Sequence, residues 1–281
     1  TLMRFMRSIF AVVALPILAA CSANVGSQDG ADADTTSVAA VVVVEQSTGP
    51  GEAVHTESVA RFVRTHGAVD DMARAMVGEA LDLPAPGACK AVSFGEDLAP
   101  LRPIELLDVG ALTLEGMGSG TGSHASLVAR RVPDVVDLVS GVVYTTREAP
   151  AFGGHVTLHA TGSTELVGFT ATADAPAPID GLHVNGLDVP SGNAVFSATT
   201  THVELAWAPG SDAIYVDLAI GKAPASTRCS FKDDGKGSIW LVGDSGTLTV
   251  HRVREAQIRA RGIDEGTLRF DTSRVIAFTR R

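Results

Sequence analysis

The sequence predicts a mainly β protein: an antiparallel β-sandwich of Ig-like type, in one or two sub-domains, with a short N-terminal helical segment. Three observations carry this. From Val92 onward, short runs rich in Val, Leu, Ile and Thr are broken by Gly, Pro, Asn and Asp. Turn signals return every ~8 to 12 residues without an intervening helical pattern. The chain has 281 residues, 45% hydrophobic and only 19% charged, enough for one or two packed cores and too apolar for disorder throughout. Lys and Arg number 22 against 32 Asp and Glu, a net charge of -10, which argues against a nucleic-acid partner.

In chain order, Met3 to Arg7 is a short basic segment, Ile9 to Leu18 is an apolar run interrupted by Pro16, and Leu18-Ala19-Ala20-Cys21 closes it with small residues. This is the three-part layout of a secretory signal peptide. As a helix the apolar run would rise only ~15 Å, about half a bilayer core, so it reads as a cleaved leader rather than a span. The four residues after the run closely resemble the lipobox of bacterial lipoproteins. The resemblance implies cleavage between Ala20 and Cys21, acylation of the Cys21 sulfur and new amino group, and membrane attachment through that lipid. The alternative is an ordinary signal peptide in which Cys21 is incidental. Ser22 after the anchor, where enteric lipoproteins held at the inner membrane carry Asp, favours the outer membrane.

Residues 22–47 lack Lys, Arg and aromatic side chains and are rich in Ala, Ser, Thr, Asp, Gly and Val, so they read as a disordered tether, with Val41 to Val44 as one short-strand candidate. Residues 48–86 read as a helical segment. Val59, Phe62, Val63, Val69, Met72, Ala73, Met76, Val77, Ala80 and Leu81 recur at spacings of three and four, and Pro84 and Pro86 end the pattern. Gly67 divides it, so one long helix or two shorter ones fit equally. Residues 87–175 and 176–281 read as two β sub-domains meeting at Ala173-Asp174-Ala175-Pro176-Ala177-Pro178. Within the second, Thr247 to Arg254 alternates as a half-buried strand does.

With Cys21 taken by lipid, Cys89 and Cys229 form an even pair on an exported chain, and a disulfide is the simplest expectation, two buried thiols the alternative. No catalytic set assembles. Gly243-Asp244-Ser245-Gly246 spells the nucleophile tetrapeptide of chymotrypsin-like serine proteases, but Thr247 follows where that family has a further Gly, and no upstream His has the family's neighbours. A hairpin turn is the plainer reading. The Gly-rich stretch from Gly116 to His124 lacks a P-loop ending. His155 and His159 would face one way on a strand but ~13 Å apart, too far for one metal ion. Asp233-Asp234-Gly235 is acid-rich without the later Glu of an EF-hand loop. Arginines from Arg252 to Arg281 make the C-terminal end locally basic, pairing on a solvent face with acids elsewhere. Trp207 and Trp240 lie in strand patterns, in the core or as sugar platforms.

Residues 89–281 resemble the β-rich lipoproteins of myxobacterial type. The likeness rests on the order Cys89, Ile104-Glu105-Leu106-Leu107-Asp108-Val109-Gly110, Ser140-Gly141-Val142-Val143-Tyr144, Leu205-Ala206-Trp207, Cys229-Ser230-Phe231-Lys232-Asp233-Asp234-Gly235 and Gly246-Thr247-Leu248-Thr249-Val250-His251-Arg252. It brings no activity, and implies that the two cysteines and the β body belong together. The expectation is a lipid-anchored cell-envelope protein with a non-enzymatic binding or structural role, no cofactor, and a protein or glycan partner. An envelope hydrolase using Ser245, or a glycan-binding module, is the alternative.

Overall fold

The computed structural model describes residues 36–49, 53–66, 81–92, 104–116, 123–135, 139–147, 149–189, 195–221 and 226–281. The lipobox with Cys21, the glycines from 118 to 122 and much of the expected helical segment lie outside them. The described residues are mainly β. In chain order the strands are β1 (Thr36–Thr48), β2 (His55–His66), β3 (Cys89–Val92), β4 (Ile104–Leu106), β5 (Leu112–Gly116), β6 (Ser123–Val135) and β7 (Val139–Thr146). β8 (His155–Gly162), β9 (Val167–Asp174), β10 (His183–Val184), β11 (Leu187–Asp188), β12 (Val195–Ala198) and β13 (His202–Ala206) follow. The last five are β14 (Ala213–Ile220), β15 (Ser226–Lys232), β16 (Lys236–Trp240), β17 (Ser245–Gln257) and β18 (Glu265–Arg280).

One continuous hydrogen-bonded path runs β3-β15-β14-β17-β18-β1-β2-β4-β7-β6-β5-β8-β9, with β12 added beside β18, and a separate four-stranded sheet runs β11-β10-β13-β16. β6 turns the corner of the path, pairing β5 through its first half and β7 through its second. The sheets are mixed rather than antiparallel throughout: β1 and β12 each run parallel to β18, and β4 runs parallel to β7.

Two expectations are corrected at the N-terminal end. Residues 55–66 form strand β2 rather than helix, antiparallel to β1. Ala60 and Phe62 are buried on one face and Val63 on the other, and burial on both faces produced the apparent spacing of three and four. Thr36–Thr48 is likewise not tether but the central strand β1, with Ala39 through Val42 and Val44 buried. A strand covered on both faces reads as a continuous apolar run, which is what Ala39 to Val44 spells.

Two large cores and a smaller cluster of Val41, Val63, Ile104 and Leu106 share these sheets. One gathers residues from Ala40 to Ala173 with Ile258, Ile263, Leu268 and Phe270; the other gathers Ile179 to Val250 with Ile276 and Phe278. β17 and β18 run through both, so the two halves are one hydrogen-bonded body. Between the cores a polar row crosses the sheet's inner face, where register aligns Arg252, Thr272, Gln46 and Thr56. The Pro/Ala segment expected as a boundary crosses at this row. Arg252 donates to the carbonyls of Ala177 and Pro178, and Arg254 to those of Asp174 and Ala175. The cores separate where a chain that cannot join a ladder needs polar partners.

Arg252 and Asp233 form an ion pair at 2.9 Å with side chains only 1% and 2% exposed. The Asp233 carboxylate also accepts from the Trp207 indole at 2.9 Å and the Asp212 amide at 3.2 Å, and Arg252 gives a further bond of 2.6 Å to Ala208 O. Such a pair offsets its desolvation only when nearly every donor and lone pair is used, as here, where Arg252 Nε is the exception among its donors. Cys89 and Cys229 are joined in a disulfide. They sit directly opposite each other on β3 and β15, with Cα atoms 4.0 Å apart, the close approach of a non-hydrogen-bonded cross-strand pair. The bridge fastens the end strand of the path and closes a loop spanning 140 residues, worth ~5 kcal/mol at most in chain entropy.

Candidate functional site

The motifs of the linear sequence have structural explanations. Ser245 is exposed at the start of β17, and His251 lies six residues farther along that same strand, roughly 20 Å away at strand rise. Asp244 pairs with Arg280 at 2.6 Å. Gly243 has φ of 90°, and a Cβ on Gly246 would come within 2.2 Å of Ala219 O. The tetrapeptide thus marks a turn followed by a close strand approach. His155 and His159 bond Asp174 and Thr170 on the neighbouring strand, and no group of three or more metal-ligating side chains gathers among the described residues. Asp233 is consumed by its pair with Arg252. Arg254, Arg269 and Arg280 pair with Asp212, Glu255 and Asp244, as expected of the basic C-terminal end, although Arg252 and Arg269 are buried rather than on a solvent face. Trp207 is 4% exposed and belongs to the core; Trp240 is 66% exposed.

Among the described residues, one gathering of ionisable groups is not announced by the linear sequence. Odd-numbered residues of β14, β17, β18, β1 and β2 share one face of the long sheet. Register sets Tyr215, His251, Ser273, Ser47 and His55 in one row across it. The next row carries Val253, Asp271, Glu45 and Glu57. The even face carries the two large cores, so period-two alternation alone puts these groups together on the other side.

Within this basin of about 460 Å³ the outer acids are each served by a histidine. Asp271 accepts from Tyr215 Oη at 3.0 Å and lies 2.9 Å from His251 Nδ1; Glu57 lies 2.9 Å from His55 Nε2. The Tyr215 and His251 rings stack at 4.3 Å and 4°, and Arg228 covers Tyr215 with its guanidinium 4.6 Å from the ring centroid. Arg228 is itself held by two 2.8 Å bonds to Asp217, which raise its pKa further above the ordinary arginine value. Burial first, and the Asp271 charge second, push the Tyr215 hydroxyl far above its ordinary range, so it stays a donor. Glu45, in the middle of the acid row, is held above the usual carboxylate range by desolvation and then by Asp271. Four acids and one arginine line the basin, which therefore favours positive charge.

No protein-family model matches this chain, and no curated protein matches it. Among solved structures it is similar to the Mu homology domain of Fcho1 from Danio rerio, solved with a bound Eps15 peptide. The identity is 12%, covering 87% of this chain and 97% of that one, with a TM-score of 0.27, too low to carry an argument.

Proposed function

We propose that this chain is a lipid-anchored cell-envelope protein, held at the outer membrane through Cys21, whose β body is a non-enzymatic binding module. The supporting observation is how the polar groups of the basin are used. Asp271, His251, Tyr215, Arg228, Asp217, Glu57 and His55 are matched to one another in a rigid ladder, and Ser245, the nucleophile of the motif, stands apart from them. Such an arrangement presents charge and shape on a fixed sheet, which suits recognition. We read the small sheet lying over the second core as one layer of a β-sandwich, the finer architecture expected from the sequence.

The corrected start of β1 bears on the anchor. Only Ser22 to Thr35, fourteen residues, separate Cys21 from the sheet. Fourteen residues span ~50 Å at most, so the body would stand within that distance of the bilayer. Cell fractionation of the wild type and a Cys21→Ser variant tests the proposal. The wild type should enter the detergent phase with outer-membrane markers and the variant should lose those markers, whether freed or retained by an uncut leader. A variant that still fractionates with the outer-membrane markers would overturn the anchored reading.

A further inference from the structure

A second concave surface lies on the outer face of the small sheet. β13 and β16 pair so that His202 stands opposite Trp240, Glu204 opposite Ser238, and Ala206 opposite Lys236. The alternate residues Val203, Leu205 and Ile239 face the core, so these six side chains share the solvent face. Five of them, with Leu205, Phe231 and Gly237, line a trough of about 680 Å³ whose floor is low because Ala206, Gly237 and Ser238 are small, and Trp240 stands beside it against His202. The Asn185-Gly186 turn, with φ of 50° and 73°, walls one side, and Gly87 the other. The volume is that of a small-ligand site.

The chemistry around the trough is specific. The Trp240 indole is 66% exposed and packs edge-on against the His202 ring at 4.9 Å, which props it upright. The indole N–H and the charged ends of Glu204 and Lys236 have no hydrogen-bond or ion-pair partner among the described residues. A protein partner of ordinary affinity would need an apolar centre of several large exposed side chains, whereas at this trough Leu205 is buried, Phe231 half-buried and Trp240 exposed beside it. One aromatic plate, with an acid and a hydroxyl in the next cross-strand pair and an ammonium ~13 Å along β16, over a floor of small residues, matches a short chain of pyranose rings with one ring on the plate. The apolar C–H side of such a ring stacks on an indole while its rim of hydroxyls takes hydrogen bonds.

The geometry points to a glycan-binding site on this face, in which Trp240 and His202 form the stacking platform and Glu204, Lys236 and Ser238 bond the sugar rim. Its position supports presentation outward. β18 begins at Glu265 near the start of β1, runs sixteen residues in parallel with it and onward, about 50 Å at strand rise, and ends beside β12. The small sheet packs on the core at that far end, through Ala198, Ile276 and Phe278. The site is separate from the ionisable basin and does not depend on the lipid at Cys21.

The full-length protein and each variant should be titrated by isothermal titration calorimetry with three probes, chitotetraose, cellotetraose and a tetragalacturonate, and the wild type followed by tryptophan emission as well. Trp207 is sealed in the core, so a saturable change reports Trp240. At least one probe should bind, and Trp240→Ala should weaken it by about tenfold or more, as truncation of an aromatic anchor does. Glu204→Gln should weaken the same probe while leaving emission of the free protein unchanged. Circular dichroism of each variant confirms folding. The proposal is overturned if no probe binds at millimolar concentration, or if both variants bind within twofold of the wild type. Concentration-dependent self-association abolished by Trp240→Ala would overturn it too, marking the face as a contact between copies.

Discussion

Replacing Asp233 by Asn tests whether the polar row between the two cores is held by a charge rather than by packing alone. The substitution keeps size and one acceptor, so the oxygen that takes both the Trp207 and the Arg252 bond can survive, but Arg252 is left charged and 1% exposed with neutral acceptors only, that amide oxygen and the carbonyls of Ala177, Pro178 and Ala208, and no counter-charge. Removing one member of a buried pair costs about 3–5 kcal/mol, because the surviving ion keeps its desolvation penalty without its counter-charge. At a urea slope of ~3 kcal/mol/M the midpoint falls by roughly 1–1.7 M. Urea unfolding followed through Trp207 emission reads this directly. Combining Asp233→Asn with Arg252→Met should cost less than the sum of the two single changes, since no lone charge remains. A midpoint shift of Asp233→Asn below about 0.3 M, or strict additivity of the pair, would refute the reasoning.

Four further outcomes follow from the same geometry. Tyr144, fully buried, donates to Asp108 at 2.6 Å and accepts from Val109 N at 2.8 Å; Tyr144→Phe should cost about 1–3 kcal/mol at neutral pH in thermal or urea melts. The Tyr144 hydroxyl, then the Gly110 amide, holds Asp108 below the ordinary carboxylate range. That stabilisation is present above the unfolded-state pKa and is lost as the pH falls through the folded one, so the penalty of the variant should shrink in acid. Glu45 has the opposite sign: its raised pKa means the folded state binds the proton more tightly, so ionisation subtracts stability as the pH rises. Glu45→Gln should therefore melt higher than the wild type near pH 7 and equal to it near pH 3.5. Ser245→Ala should leave melting unchanged, whereas Gly246→Ala, forced against Ala219 O and the Phe278 ring, should destabilise by about 1–3 kcal/mol. Cys89→Ser with Cys229→Ser should lower stability by up to about 5 kcal/mol in non-reducing buffer, and dithiothreitol should have no further effect on it.

The strands after Val92 are legible because half-buried strands alternate and their turns carry Gly, Asn and Asp, as at β5, β8 and β13. Legibility fails where burial is two-sided. Ala39 to Val44 and Ala60 to Val63 have lost the period of two, so a central strand passes for a tether and its neighbour for a helix. It also fails for length: β17 and β18 run thirteen and sixteen residues without a break, longer than the short runs read from Val92 onward. The disulfide was legible from parity and compartment alone. The basin was not, since Glu45, Glu57, Tyr215, His251 and Asp271 come from five strands and meet only through register. One local signal was present: in Thr247 to Arg254 the inward set Leu248, Val250, Arg252 places an arginine on the core face, which announces a buried partner.

The claim on which the account rests is that the body hangs from a lipid on Cys21 a short stretch before the first strand. Mass spectrometry of the N-terminal peptide, released from membrane-extracted protein, tests it most directly. A mature chain beginning at Cys21 and carrying a diacylglyceryl thioether and an acylated amine is the predicted result. A chain that retains residues before Cys21, or an unmodified Cys21 thiol, would contradict it.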